Sequence, residues 1–488
     1  MSKSLSPHPL PDSRSFVARK NAAIMLWTSF FCAVGGLTTI IWLGGCSKKA
    51  SPDRPNVILI TVDTLRPDHL GCYGYSKNTS PNIDMFARDA MLFEKCYSHA
   101  PNTWASITSL LSGFLPHETG VLLDRPVPHA LLMLQEILKE AGYATVAVVS
   151  NFVLRKGRGY EQGFDEYDAT MSRKEITRHV TERVAVDTTD RAIDLLQRYR
   201  KKRMFFWIHY QDPHGPYTPP QPYAGMFTSA LTNDSRNLAV NTTDSGYRGI
   251  PRYQQLGTHS NYAFYVSQYD AETRYMDEHF KRLIDAIKTL GLYDDAIIIF
   301  SSDHGEGMGE QDYFFAHGER LHASQIRVPL IVKHGDRFSG RRTDFVQHID
   351  IVPTLLKMLS LKGHLRLRGR DVRAPQSDTR EIFSEMATMT TTNRVDSSLI
   401  YDGLKMIYLA DPYEPDGEDH YQLYDLRSDS LEQRNLIEDA TYQQQTKDLE
   451  ERLFRIRSED FLGIALPVSA NTLTEDEKRK LEALGYSK

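Results

Sequence analysis

The sequence predicts an α/β fold, with a mostly parallel central sheet flanked by helices and a smaller C-terminal α+β lobe. Three observations carry this. Four apolar, β-branched runs each end in a polar cluster, helical patterns separate them, and the pattern stops near Asp371. Near-continuous apolar runs suit strands buried on both faces, as in a parallel sheet. Strands alternating with helices make a layered α/β domain.

The elements follow in chain order. Residues 57–62 run into Asp63, and residues 145–149 run into Ser150 and Asn151. Residues 205–208 run into His209, Asp212 and His214, and residues 296–300 into Asp303 and His304. In such sheets ligands sit beyond the carboxyl ends of the strands, so these clusters converge on one crevice. Helical patterns cover 131–141, 188–200 and 269–290. A short helix over 104–112 is closed by Gly113, with Thr103 as its N-cap. Residues 225–262, rich in Asn, Thr, Ser and Gly, read as a surface insertion. It either lines the substrate entrance or is a passive loop. The pattern divides the chain into an N-terminal segment (1–46), a main domain (47–375) and a C-terminal lobe (376–488). In that lobe, 404–409 and 420–426 read as strands and 441–457 as a closing helix.

Composition excludes some classes. Of 488 residues 41% are hydrophobic and 25% charged, which is ordinary for a globular chain. The formal net charge of -5 gives no basic excess for nucleic acid. At the N-terminus, Arg19 and Lys20 precede an apolar stretch, followed by Leu43-Gly44-Gly45-Cys46 and then Ser47-Lys48-Lys49. That is the order of a secretory signal. Leu-Gly-Gly-Cys resembles a bacterial lipobox, which implies that Cys46 is lipidated. The other reading is an uncleaved transmembrane anchor, since the run is long enough to span a bilayer. Either reading makes the body membrane-anchored and extracytoplasmic, in the periplasm or at the cell surface of a bacterium. Two cysteines remain in the body, Cys72 and Cys96. An oxidising compartment permits a disulfide, and two free thiols are the other reading.

Asp63, Asp303 and His304 at the mouths of strands are what a divalent cation needs. A Thr at a helix N-cap faces unpaired N–H groups that favour an anion. Alone, Thr103 would read as an ordinary structural cap.

The order of motifs resembles the sulfatase family of the alkaline phosphatase superfamily, over nearly all of residues 54 to 485. The segment Asp63-Thr-Leu-Arg-Pro-Asp-His-Leu-Gly resembles its first metal motif. Thr103-Trp-Ala-Ser-Ile-Thr-Ser-Leu-Leu-Ser-Gly113 resembles its nucleophile motif, usually Cys or Ser, any residue, then Pro-Ser-Arg. His209-Tyr-Gln-Asp-Pro-His-Gly-Pro-Tyr217, residues 302–306, and His317-Gly318 with 326–332 resemble later motifs, as do residues 346–356 and 423–429. The resemblance implies an alkaline phosphatase-like fold and an ester hydrolase.

The departures point to a subclass. Family sulfatases convert the Cys or Ser to formylglycine, which a threonine cannot become by the same oxidation. The Pro and Arg are replaced by Ala105 and Ile107, and the usual Asp-Asp pair by Asp63-Thr64. No Lys-Trp-His segment follows Asn151. The chain thus resembles threonine-nucleophile relatives such as phosphoethanolamine and phosphoglycerol transferases, nucleotide pyrophosphatases and phosphodiesterases. That resemblance implies a divalent metal held by Asp63, Thr103, Asp303 and His304. Zn or Mn is expected ahead of Ca, because His304 favours a borderline cation. It also implies that Thr103 attacks in line, and that His214 and His317 face the phosphoryl group or a second metal. His209 and Asn151 are further candidates, whereas His99, His117, His129 and His348 read as structural. The expected partners are an ester substrate, lipid or glycan, and the membrane through the N-terminal anchor, with no nucleic acid. Three functions stay open: a threonine-nucleophile phosphoester hydrolase or transferase, a sulfatase without formylglycine, and a non-catalytic binding protein on the same fold.

Overall fold

A computed structural model describes residues 54–459, apart from 123–124, 176–177, 179, 229–235, 336–337, 363–365, 378, 388–394 and 411–419. The N-terminal segment with Cys46 lies outside the described residues. The main unit runs β1 (Val57–Val62), α1 (Pro81–Arg88), β2 (Met91–Tyr97), α2 (Thr103–Ser112), α3 (Pro116–Thr119), α4 (Leu134–Glu140) and β3 (Ala144–Val149). It continues through β4 (Glu166–Asp168), β5 (Arg173–Lys174), β6 (Thr181–Glu182), α5 (Ala185–Tyr199), β7 (Met204–Tyr210), α6 (Tyr262–Thr289) and β8 (Ile297–Ser302). Then come α7 (Ala323–Ile326), β9 (Arg327–His334), β10 (Gly340–Gln347) and α8 (Ile351–Met358).

Eight strands form one sheet in the order β10-β2-β9-β8-β1-β7-β3-β4. Every pairing is parallel except the two made by β9. The expected mostly parallel sheet is therefore present. Its central strands β1, β7 and β8 are buried throughout and mostly apolar because both faces are covered. Val57 and Leu59 of β1 pack into one core with α2, α4 and α8, while Ile58, Ile60 and Val62 pack into the other with α1, α5 and α6. Successive side chains of a strand point to opposite faces, so one apolar run serves two cores.

Element ends shift where local caps decide them. The helix expected over 131–141 starts only at Leu134, because the Glu136 carboxylate accepts the Met133 amide at 2.9 Å. The helix expected from 269 starts at Tyr262, where Asn261 caps Phe264 N at 3.0 Å. Cys72 and Cys96 are free thiols.

The C-terminal lobe is a four-stranded antiparallel sheet: β11 (Ile382–Ala387), β12 (Val395–Tyr401), β13 (Leu404–Leu409) and β14 (His420–Asp425). Helix α9 (Gln443–Ser458) closes it with Leu449, Leu453 and Ile456 against Leu399, Met406 and Leu423. Sequence reading found β13, β14 and α9 but missed β11 and β12. Those two carry Ser384, Glu385, Asp396 and Ser397 as buried residues, which hides a strand pattern.

Several contacts join this sheet to the main unit, among them Ser384 Oγ donating to Ser98 O and Glu385 N to His99 O. His117 Nδ1 in α3 lies 2.6 Å from Glu385 Oε1 in β11. Burial pulls the His117 imidazole down, but the Glu385 carboxylate more than offsets this, so its pKa lies above the ordinary value. A raised folded pKa gives stability that is full below the unfolded value of about 6.5 and is lost as pH rises through the folded value. His117→Gln should therefore lower the melting temperature most below pH 6. The cost should be about 2 kcal/mol, the scale of a charge-assisted hydrogen bond. Equal melting curves across pH for variant and parent would refute this.

Candidate active site

The register of the sheet builds the site. Val62 of β1 lies beside Ser302 of β8, so the residues that follow, Asp63 and Asp303, are neighbours. Their amides continue the ladder onto Tyr210 O and Val62 O. His209 pairs with Thr61 on one side and Val149 on the other, which brings Asn151 to the same end. His304 follows Asp303 directly.

Thr103 arrives from a different direction. It opens α2, but it is not the N-cap. Asn102 caps the helix, with its side chain accepting Ala105 N at 3.1 Å. Thr103 is the first helical residue, which corrects the expected position by one. The reason is division of labour: Asn102 satisfies the amide, and the Thr103 hydroxyl is left to point into the crevice. Thr103 Oγ1 lies 3.3 Å from His304 Nε2. Ser106, one turn on, donates to Asp303 O at 2.5 Å and so fixes the helix against β8's end.

Asp63, Asp303 and His304 converge as a possible metal-holding group, their nearest ligand atoms within 4.8 Å of one another. His304 Nε2 is 3.7 Å from Asp63 Oδ1 and 3.5 Å from Asp303 Oδ2. These residues fit a cation on independent grounds. Both carboxylate oxygens are buried without a hydrogen-bond partner among the described residues. An orphaned buried carboxylate is costly. Burial pushes Asp63 up to about 7, and burial with the Asp63 charge also raises Asp303. A divalent cation would remove both penalties. His304 Nδ1 donates to Gly305 O at 2.9 Å, which leaves the Nε2 lone pair facing the group.

The other candidates separate into two roles. Asn151 Nδ2 donates to Asp63 Oδ2 at 2.5 Å, and His209 Nε2 lies 3.6 Å from the same oxygen. His209 is in turn oriented by Thr61 Oγ1 at 2.8 Å. Both therefore support Asp63 from behind and leave its Oδ1 to the crevice. His214 and His317 stand in front. The ring centroids of His304 and His317 are 4.5 Å apart, and those of His317 and His214 are 5.0 Å apart. Burial lowers the pKa of His317 to about 4 and also holds His214 well below its ordinary value, with the His317 and Arg178 charges adding to the effect on His214. His214 Nδ1 donates to Gly215 O at 2.8 Å, so its buried Nε2 presents a lone pair.

Sequence reading left three participants without a role. Glu306 sits 3.1 Å from His317 Nδ1 and accepts from Tyr217 OH at 3.0 Å, and burial pushes its pKa up to about 8. Its place three residues after Asp303 was the available signal. Thr64 adopts φ 56°, a left-handed conformation that is a genuine outlier for a β-branched residue. Its amide is 3.2 Å from Asp303 Oδ1, so the strained turn ties the two strand ends together. Arg178 donates to Gly215 O at 2.9 Å and is held by Glu175. It lies in a stretch with no motif, and nothing local announced it.

Comparison with known proteins gives this arrangement a family. The sulfatase family model matches residues 55–361. The chain belongs to the sulfatase family and is an ester-hydrolase enzyme of that family. A curated relative, N-acetylglucosamine-6-O-sulfatase of Bacteroides thetaiotaomicron, is 22% identical over 83% of this chain and 87% of its own length. Among solved structures, one holding its substrate D-glucosamine-2-N,6-O-disulfate matches with a TM-score of 0.70 and 18% identity, over 85% of this chain and 99% of the other. The phosphonate monoester hydrolase of Agrobacterium radiobacter matches with a TM-score of 0.65 and 19% identity, over 87% and 99%. These likenesses carry the fold.

Proposed function

We propose that this protein is a membrane-tethered, extracytoplasmic hydrolase that cleaves a phosphate or sulfate ester with unmodified Thr103 as its nucleophile. The observation that carries it is the approach of Thr103 Oγ1 to His304 Nε2, 3.3 Å, inside the group formed with Asp63 and Asp303. In the reaction, Thr103 Oγ1 forms a bond to phosphorus or sulfur and the bond to the ester oxygen breaks. A neutral histidine of the site accepts the Thr103 proton. The Glu306–His317 pair supplies a proton to the departing oxygen. Water, or an acceptor alcohol, then attacks the covalent intermediate and restores Thr103. A divalent cation held by Asp63, Thr103, Asp303 and His304, Zn or Mn ahead of Ca, would lower the pKa of an oxygen ligand and offset charge on the transferred group.

Threonine favours phosphate. A phosphothreonine can be opened by water at phosphorus, whereas the formylglycine route to sulfate release is closed to Thr103. The second reading, a sulfatase that works without formylglycine, is supported by the sulfatase names of the relatives, and a sulfated glycan would then be the substrate. Purified protein assayed on paired aryl phosphate, phosphodiester and sulfate esters separates the two. Turnover of phosphate esters with none of sulfate supports the first, the reverse supports the second, and no turnover of any ester sinks both.

The tether has its own test. Cys46→Ala should abolish lipid labelling and leave the signal uncleaved in the membrane fraction. A variant still cut after Gly45 and labelled as before would rule out the lipoprotein reading.

A further inference from the structure

The four parallel central strands all begin at one edge of the sheet, opposite the site. Asn56, Arg203 and Ala296 meet there: Met204 N donates to Asn56 Oδ1 at 2.8 Å, and Ile297 N to Asn56 O. Arg54, the first described residue, reaches Leu359 O at 2.9 Å, which brings the end of α8 to the same edge. This edge is basic. The turn between α5 and β7 reads Arg200-Lys201-Lys202-Arg203, with the first three exposed. Exposed Lys288 and Lys357 add to it from the ends of α6 and α8. Exposed Glu140, Asp294 and Asp295 oppose it only in part. A cation at a helix C-terminus has a structural use against the dipole. For α5 that use is met by Arg198, in its last turn and paired with Glu166 and Asp194. Beyond it, among the described residues, the Arg200 side chain meets only Gln197 O and that of Lys202 only the Tyr199 ring, while Arg203 lies over the Tyr143 ring. All this stands in a chain of formal net charge -5.

We propose that this edge, centred on Arg200, Lys201 and Lys202, docks on the anionic headgroups of a phospholipid surface. The inference rests on the tether reading for its partner. Only seven residues, 47–53, separate Cys46 from Arg54, a reach of at most about 30 Å when fully extended. A lipid on Cys46 therefore holds the edge where the chain enters β1 close to the bilayer, at high effective concentration. Opposite charge then orients it. The consequence is functional. The strand carboxyl ends, with Thr103 and Asp303, face away from the bilayer, so the ester is met in the aqueous space and not in the membrane that carries the enzyme.

The test uses residues 47–488, which fold without the N-terminal segment because every described core lies within 57–456. Sedimentation with phosphatidylglycerol-containing vesicles should show binding that pure phosphatidylcholine vesicles lack. Raising the salt to about 0.5 M should release it, as screening demands. Combining Arg200→Gln, Lys201→Gln and Lys202→Gln should weaken binding about 100-fold, at about fivefold per cation near an anionic surface. Arg434→Gln with Lys447→Gln, exposed cations of the C-terminal lobe, should leave it unchanged. Absent binding, equal binding to neutral vesicles, a triple variant that binds like the parent, or an equal loss in the control pair would each overturn the proposal. Should the triple variant not fold by circular dichroism, the salt and lipid arms still decide. Lipid labelling of Cys46 is read separately, so failure of the tether and failure of the docking edge are distinct results.

Discussion

Thr103→Ala should lower kcat by at least about 10³-fold on the best ester substrate, the scale expected when a covalent nucleophile is removed. The neighbours offer no substitute. Ser106 Oγ is committed to Asp303 O at 2.5 Å, and Thr108 Oγ1 to Trp104 O at 2.7 Å, both away from the crevice. Thr103→Ser should retain activity within about 10- to 100-fold of the parent. The hydroxyl remains, but loss of the β-methyl frees its rotamer and with it the attack geometry. Mass spectrometry of quenched turnover should find an adduct on Thr103 and on no other hydroxyl. Parent-like turnover by Thr103→Ala would end covalent catalysis here and bring the binding-protein reading forward.

One divalent cation per chain should be found by elemental analysis, and its removal by chelation should abolish turnover. The second result has a readout that needs no substrate. Metal added to about 100 times its Kd should raise stability by about 2.7 kcal/mol, seen as a rise in Tm. His304→Ala and Asp303→Asn should remove that rise, because each takes away a ligand atom of the group. Asn151→Ala should weaken metal binding about 10-fold or more without removing it, since Asn151 acts through Asp63 Oδ2. Without metal, Asp63 and Asp303 remain buried with orphaned oxygens, so their double amide variant should melt no lower than the metal-free parent. A parent that is active and stable after exhaustive chelation would remove the cation from the mechanism.

Much of the fold is legible in the amino-acid sequence. The apolar runs ending at Asp63, Asn151, His209 and Asp303 are the strands β1, β3, β7 and β8, because a strand buried on both faces has only one composition open to it. The crevice followed from strand direction alone. What was not legible had physical causes. Strands β11 and β12 were hidden because buried Ser384, Glu385 and Asp396 are satisfied by partners outside the two strands, Ser98 O, His117 and Ala410 N. The position of Thr103 was misread by one residue because Asn and Thr are both good N-caps, and only the capping bond from Ala105 to Asn102 distinguishes them.

The sequence by itself determined the family, the parallel α/β architecture, and the identity of the residues that converge: Asp63, Thr103, Asp303, His304, His214 and His317. These are set by residue type at strand and helix ends, which local pattern encodes. Only the tertiary structure decided how they divide the work. Asn151 and His209 turn out to brace Asp63, Glu306 pairs with His317, and Arg178 holds the Gly215 carbonyl beside His214. Each of these relations joins groups many residues apart through strand register and burial. Distances and desolvation of that kind are properties of the packed chain, and no local run of residues contains them.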